Sequence, residues 1–379
     1  MQKNNPERIL YINGGTMDMG GISAYMMNYY RHMDKEKIQI DFVVHGNGGV
    51  FDEEIEKSGG RVFHLPTKRQ NYFASIHGLN EIMKNGNYKI VHSHADGMNG
   101  LILKKARKYG IPVRISHSHN TEHLTQNKIR LLYHEYARKQ IPKYATHLWA
   151  CSKKAGEWLY GSDKKFEVIP NAIETDRFAF DPGKRECFHE KFGLKDKFVI
   201  GHIGKFEYQK NQEYLIEIFP EILKQRSNAV LVLIGDGENR RKIEQQILAM
   251  NLEDKVLLLG RRSDVNELLN MFDVFVMPSR FEGLGFVFVE AQTNGLYGIC
   301  SDQVTEESDI SGTMKFISLK EKEQWVSAIV NSNGRMEHPH ETVANAGYDI
   351  VKAAEKLQKR YLDLCARNNI RQRKEQERN

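Results

Sequence analysis

The sequence predicts an α/β protein made of two doubly wound parallel sheets. Short apolar runs alternate with amphipathic helical stretches from Arg8 onward, the pattern of parallel strands joined by right-handed crossover helices. The alternation breaks once, from Pro170 to Gly183, and then starts again. A chain of 379 residues is long enough for two domains of ordinary size. The expected division is 1–172, 183–342, and a closing helix with a charged tail over 343–379.

In the first half, strands are expected at 9–12, 40–44, 61–65, 90–92, 113–116, 147–150 and 168–169. The first leads into Asn13-Gly14-Gly15-Thr16-Met17-Asp18-Met19-Gly20-Gly21, which opens a helix through Tyr25 to Arg31. Glycines there let backbone approach a ligand closely. The loop is not G-x-G-x-x-G, and Asp41 is read as starting the second strand, so a dinucleotide site is a poor reading. Two His-x-His runs, His92-Ser93-His94 and His117-Ser118-His119, each fall at a strand end. Alternate strand residues share a face, so each pair could point toward a ligand. Four imidazoles could also hold zinc, although no carboxylate or cysteine falls at ligand spacing beside them. The stretch from Lys128 to Lys139 is a basic amphipathic helix. A solvated face over the sheet and a face docked on anionic lipid both satisfy it.

In the second half, strands are expected at 199–203, 230–234, 256–259, 274–277, 298–300 and 316–318. After the first comes Gly204-Lys205-Phe206-Glu207-Tyr208-Gln209-Lys210-Asn211, where two cations five apart could pinch a diphosphate and neutralise a leaving group. The fourth strand is stopped by Pro278 and Ser279. Glu282-Gly283-Leu284-Gly285 then forms a flexible turn, and an apolar helix carries Glu290. A helix opening from a glycine turn presents unpaired N–H groups and a positive dipole end, which suits phosphate. Read as eight helical residues, the two glutamates stand roughly 12 Å apart. Glycosidase carboxyl pairs sit about 5–9.5 Å apart, so these two look like separate grips on an extended, polyhydroxylated ligand.

Apolar content of 40% and charged content of 27% are those of a soluble globular protein. The four cysteines are scattered with no C-x-x-C pair, which reads as buried thiols in a reducing cytosol. The first residues run straight into a strand without a signal-peptide core, and no apolar run is long enough to span a bilayer. Residues 1–180 carry 26 Lys and Arg against 18 Asp and Glu, whereas the remainder carries 29 against 31. Only the first half is basic, which favours an anionic membrane surface or a pyrophosphate-bearing acceptor there. No nucleic-acid-binding module is present, so nucleic acid is not an expected partner.

The run Glu282-Gly283-Leu284-Gly285 followed by Glu290 resembles the signature of retaining glycosyltransferases of family four. That family has the GT-B fold, in which two Rossmann-like parallel-sheet domains face each other across a cleft. The resemblance covers nearly the whole chain and is strongest from Gly201 to Asp302. It implies that Glu290 grips the nucleoside ribose, while Glu282 and the turn at Gly283, Leu284 and Gly285 hold the donor sugar and phosphate. It implies that Gly20 and Gly21 face the pyrophosphate and acceptor, and that His119, with His117 second, lies beside the sugar. Gly204, Lys205 and Lys210 would meet the diphosphate. The family usually carries Arg at position 205, and Lys cannot form the bidentate fork. The backbone of Arg262 would meet the base, and the Gly235-Asp236-Gly237-Glu238 loop would lie near the donor. Ala172 and Tyr297 stand where the family usually has Gly and Pro. The closing helix would cross back to the first domain.

The resemblance thus implies a metal-independent retaining transferase without a cofactor. It would move a sugar, from UDP by expectation, to a lipid-linked or saccharide acceptor in capsular or exopolysaccharide assembly. It would work in the cytoplasm, peripheral on the inner face of the membrane. The lack of an Asp-x-Asp motif fits metal independence. A nucleotide-sugar epimerase of the same fold would release free product without acceptor, and a non-catalytic binding module would bind donor without turnover.

Overall fold

The computed structural model describes residues 5–376 except Met19, Lys68, Leu124 and Gln126, so the last three residues of the charged tail lie outside the described residues. Among the described residues the chain forms two all-parallel sheets. The first contains β1 (Glu7–Asn13), β2 (Ile38–His45), β3 (Val62–Leu65), β4 (Ile90–His94), β5 (Val113–Ser118), β6 (His147–Ala150) and β7 (Glu167–Val168), in the order β3-β2-β1-β4-β5-β6-β7. The second contains β8 (Phe198–Ile203), β9 (Ala229–Ile234), β10 (Val256–Gly260), β11 (Val274–Met277), β12 (Gly298–Ser301) and β13 (Met314–Ile317), in the order β10-β9-β8-β11-β12-β13.

The apolar runs become central strands because both of their faces are covered by helices. In β1 the residues Ile9, Leu10, Tyr11 and Ile12 are all buried, with Ile9 registered against Ile40 on one side and Ile90 on the other. In each sheet the strand order reverses beside its first strand, between β1 and β4 and between β8 and β11. Crossovers diverge at such a switch point and leave a crevice beyond the carboxyl ends of the two strands.

The chain divides into two compact units. One comprises residues up to Ala172 together with those from Ile350 onward, and the other is Ile173–Asp349. Segments 173–182 and 343–349 therefore belong to the second unit. The closing helix runs Ile350–Gln376 rather than starting near residue 343. A short helix, Pro339–Val343, precedes it, and Gly347 at φ 97° breaks the helical path between them. The last strand of the second sheet lies two residues earlier than expected, because Met314 pairs with Gly298. A Cβ on Gly298 would fall 2.0 Å from the Met314 sulfur, so glycine gives that side chain its place.

Asp41 does not start β2 but sits fourth of its eight residues, fully buried. The strand tolerates this charge because its oxygens are satisfied. Arg8 on β1 donates from Nε at 2.9 Å, Tyr88 from its hydroxyl at 2.7 Å, and the Arg61 backbone N–H at 3.1 Å. The carboxylate in turn raises the Arg8 pKa, chiefly through that hydrogen bond. Asp41→Ala removes the acceptor for three donors, and a drop of about 3 kcal/mol in unfolding free energy is expected. Urea denaturation of the variant measures it; unchanged stability would show that solvent replaces the carboxylate.

Candidate functional site

The polar residues singled out in the second unit gather at the ends of β8 and β11, the strands that flank its switch point. The loop after β11 is not a free turn. The Arg280 backbone N–H donates to the Gln209 carbonyl at 2.8 Å, and the Gln209 amide donates to the Phe281 carbonyl at 3.1 Å. The Asn211 amide donates to the Pro278 carbonyl at 3.1 Å. These bonds zip residues 278–282 to residues 209–211, so two loops distant in sequence form one wall.

Across that wall Lys210 Nζ lies 2.5 Å from Glu282 Oε2, with both side chains largely buried, at 14% and 11% exposed. The Ser279 hydroxyl stands 3.4 Å from the same oxygen. Glu282 is therefore no solvated turn carboxylate; burial in contact with a lysine fixes its direction. An ion pair this enclosed holds the Lys210 side chain in place, and its ammonium has further N–H donors for an anion.

Beyond Gly285 the helix Phe286–Thr293 starts without a side-chain cap. It begins four residues after Glu282, which the Glu282–Val304 bridge holds in extended conformation. The two glutamates are thus not two helical turns apart, and Glu290 stands only about one turn, roughly 6 Å, into the helix. Every other residue of this helix is buried; Glu290 alone keeps partial exposure. Among the described residues no side chain hydrogen-bonds its carboxyl group. Burial pushes its pKa from 4.5 up to about 7, opposed by the positive charge of Arg177.

His202, not singled out from the sequence, supports this wall from beneath. Its Nδ1–H donates to the Val276 carbonyl on β11 at 2.9 Å, which leaves Nε2 to accept from the Gln212 amide at 3.1 Å. Gln212 also donates to the Lys205 carbonyl at 3.0 Å. Burial holds the His202 pKa down at about 4, so the ring stays neutral and keeps this polarity. The signal in the sequence was a lone imidazole in the middle of an apolar strand. Gly204 and Gly235 allow the next loop to close in, since a Cβ on Gly235 would fall 2.0 Å from the Gly204 carbonyl oxygen.

Other expected residues are less tightly joined. Lys205 is mostly exposed and pairs with Glu207 at 3.3 Å, so its charge is not yet directed at a common point with Lys210. Arg262, after β10, makes a two-pronged ion pair with Asp264 at 2.8 and 2.5 Å, which orders the loop while leaving its backbone to act separately.

In the first unit, Gly20 caps the helix Gly21–His32 with no side-chain hydrogen bond, and both Gly20 and Gly21 are exposed. Met19, beside them, lies outside the described residues. The two His-x-His runs fold inward as stacked rings: His92 over His117 at 5.1 Å and His117 over His119 at 4.3 Å. They stack because β4 and β5 are parallel neighbours in register. His92 joins the Tyr361 hydroxyl at 2.6 Å and His117 Nδ1 at 3.0 Å, and so belongs to the core. Ligand atoms of His92, His94 and His117 lie within 4.8 Å of one another, and the Nε2 atoms of His94 and His117 have no hydrogen-bond partner. His119 stands at the edge of this stack, half-buried. Its Nε2 meets His94 Nδ1 at 2.9 Å, and its backbone N–H donates to Asp96 at 2.8 Å. Burial holds its pKa near 3, so it is a neutral imidazole.

Comparison with known proteins decides the family. Residues 184–317 match the family described as "Glycosyl transferases group 1", and residues 19–177 match "Glycosyltransferase Family 4". The Bacillus subtilis (strain 168) protein EpsF, assigned as a glycosyltransferase, is 36% identical over 366 residues, covering 91% of this chain and 94% of its own. The chain belongs to glycosyltransferase family 4. An Escherichia coli relative, "UDP-Gal:alpha-D-GlcNAc-diphosphoundecaprenol alpha-1,3-galactosyltransferase", is 27% identical over 371 residues, covering 91% of this chain and 94% of its own. The crystal structure of Anabaena HepE in complex with UDP aligns with a TM-score of 0.77, 94% of this chain and 100% of that one, at 16% identity. That likeness identifies the fold as GT-B. The protein is accordingly a family 4 glycosyltransferase.

For this family 4 enzyme the raised pKa of Glu290 has a measurable sign. Between pH 4.5 and about 7 the folded chain holds a proton that the unfolded chain has lost, so stability falls as pH rises through that window. Glu290→Gln removes the cost of charging the group. It is expected to leave stability unchanged at pH 5 and raise it by about 1–2 kcal/mol at pH 8, after screening of a half-buried group. Urea denaturation at the two pH values measures the difference, and an equal effect at both would rule out a titration origin.

Proposed function

We propose that this enzyme transfers a hexose from a UDP-sugar to a lipid-linked saccharide acceptor, with retention of anomeric configuration, in exopolysaccharide or capsule assembly. The observation that carries the reading is the Glu290 carboxyl group, on a residue that is largely buried yet not fully enclosed. It has no fixed partner, on a helix whose uncapped N-terminus stands in the same loop system as the Lys210–Glu282 pair. A carboxylate accepts two hydroxyls of a ribose, and a helix N-terminus with a lysine beside it suits the adjoining diphosphate. The donor and acceptor in the E. coli relative's name, UDP-Gal and a diphosphoundecaprenol-linked sugar, support the same substrate classes.

In this reading the second unit binds the donor. Lys210, with Lys205 swinging from Glu207, neutralises the charge that develops on the leaving diphosphate. Glu282, held by Lys210, accepts from sugar hydroxyls, while the turn at Gly283, Leu284 and Gly285 presents backbone N–H donors to the oxygens of the sugar and phosphate. Gly204 lets the first phosphate-facing loop pass close, and the Arg262 backbone meets the base. The first unit receives the acceptor, with neutral His119 hydrogen-bonding the sugar and Gly20 and Gly21 near the phosphates. No side chain of the second-unit site is a free nucleophile, which favours same-face displacement assisted by the departing phosphate. The reaction is read as metal-independent and cofactor-free. Among the described residues no helix is long and apolar enough to cross a membrane, and the enzyme is read as peripheral on the inner membrane face, held through its basic first unit.

Titration calorimetry with UDP tests the donor site directly. Glu290→Ala is expected to weaken UDP by roughly 100-fold or more, the loss of two hydrogen bonds to a charged group at about 1.5–3 kcal/mol each; near-normal affinity would remove Glu290 from the ribose. Transfer is expected to persist in excess EDTA. Loss restored by a divalent cation would instead bring the His92, His94 and His117 cluster into the reaction, and free sugar epimer formed without acceptor would make the enzyme an epimerase.

A further inference from the structure

His94 is the last residue of β4 and lies in register with Asn13, the last residue of β1. It therefore stands at the switch point of the first sheet, at the carboxyl ends where the crevice opens. The ring is fully buried, with the centroids of Tyr11, Tyr25, His92 and His117 lying 4.0–5.5 Å from its own. Burial lowers its pKa well below 6.5, and the neighbouring histidines His92 and His119 add to this. The ring is neutral, with one proton shared out between two nitrogens.

Where that proton sits decides the polarity of two rings. His94 Nδ1 meets His119 Nε2 at 2.9 Å, whereas His94 Nε2 is buried without a hydrogen-bond partner. A proton on Nε2 would be a buried N–H with no acceptor, the rarer and costlier kind of orphan. A proton on Nδ1 is donated to His119, and only a lone pair stays unsatisfied. His119 Nε2 then accepts, which puts the His119 proton on Nδ1. Among the described residues no hydrogen bond reaches that Nδ1, and His119 keeps partial exposure.

The rest of His119 is held from the same side. Its backbone N–H donates to one oxygen of Asp96 at 2.8 Å, and the Asn120 amide donates to the other at 2.6 Å. Asp96 follows β4 with φ 43°, a left-handed conformation that a non-glycine residue keeps only where its surroundings enforce it. The Cys151 thiol, just past β6, approaches the His119 carbonyl at 3.6 Å. Ring, N–H and carbonyl are thus each fixed by scaffold elements. A metal is a poorer occupant of this cluster. His92 spends both nitrogens on Tyr361 and His117, so its buried unbonded nitrogens are His94 Nε2 and His117 Nε2 alone, short of what a zinc site takes.

We infer that His94 is a positioning residue, which holds His119 as the Nδ1–H tautomer, a neutral donor for an oxygen of the transferred sugar. The inference rests on the reading that puts His119 beside the donor sugar, and adds the direction in which that hydrogen bond runs. A donor locked in this way orients the sugar without bringing a charge to it. His94 itself touches no substrate; it acts through His119.

Nitrogen NMR of the full chain, isotope-labelled only at histidine, distinguishes an Nδ1–H ring from an Nε2–H ring, and His119→Ala identifies the His119 signals. The wild type is expected to show His119 as Nδ1–H; finding it as Nε2–H would overturn the inference. His94→Asn puts an amide donor where Nδ1 stood and is expected to keep that tautomer, whereas His94→Ala is expected to lose it. A His119 signal unchanged in His94→Ala would also overturn the inference, and the wild-type spectrum decides the tautomer even if that variant does not fold. Calorimetry with UDP and with UDP-galactose or UDP-glucose, whichever binds more tightly, reads the consequence. His94→Ala is expected to weaken the sugar nucleotide roughly fivefold, the loss of one neutral hydrogen bond, with UDP affinity unchanged and His94→Asn close to the wild type. His119→Ala binding the sugar nucleotide as well as the wild type would remove the sugar contact itself, a failure of the donor reading that the tautomer spectrum separates from a failure of the His94 arrangement.

Discussion

The ion pair between Lys210 and Glu282 is the contact on which the loop wall of the second unit depends. The lysine comes from the loop after β8 and the glutamate from the loop after β11, strands that are neighbours only because the sheet order reverses there. Neither charge could stay buried alone. The pair therefore fixes both loops, and the side-chain amides of Gln209 and Asn211, with the Arg280 N–H on the Gln209 carbonyl, carry that fixation along residues 278–282. His202 and Gln212 hold the same wall from the sheet side. Preorganisation of this sort holds these groups in place without a ligand, so little reorganisation would be required in the proposed transfer.

The contrast between the two glutamates follows from their surroundings. Glu282 is enclosed but partnered, and its charge is balanced by the lysine. Glu290 is more open but unpartnered, and burial among phenylalanine and valine side chains raises its pKa toward neutrality. One carboxylate ties two loops together; the other is left without a hydrogen-bonding side chain among the described residues. Four histidines in the first unit show a third solution, in which rings that cannot all be solvated stack and share protons as neutral groups.

Much of the fold was legible because parallel strands buried on both faces read as apolar runs, and all thirteen strands fall at or within two residues of the expected runs. The GT-B resemblance rested on Glu282, Gly283, Leu284, Gly285 and Glu290, which the chain's family membership now explains. What spacing could not give was local geometry. A helix was counted from Glu282, whereas bridging to Val304 keeps that residue extended until Gly285. The closing helix was begun near residue 343, because periodicity continues across a kink that a single left-handed glycine imposes. Asp41 looked like a strand terminus because a carboxylate rarely sits in a buried strand, and its partners Arg8 and Tyr88 are far away in sequence. His202 and Gln212 were missed for the same reason: each acquires meaning only from side chains that the fold brings beside it.

The first unit is discontinuous: it needs residues up to Ala172 and again from Ile350. The late helix supplies Tyr361, whose hydroxyl joins Tyr11 at 2.6 Å and His92 at 2.6 Å in the middle of the early strands. On the ribosome, therefore, the early sheet emerges long before the phenol that completes its core. An N-terminal fragment ending at residue 172 would lack that phenol and keep the polar centre open, whereas the second unit is one continuous segment of the gene.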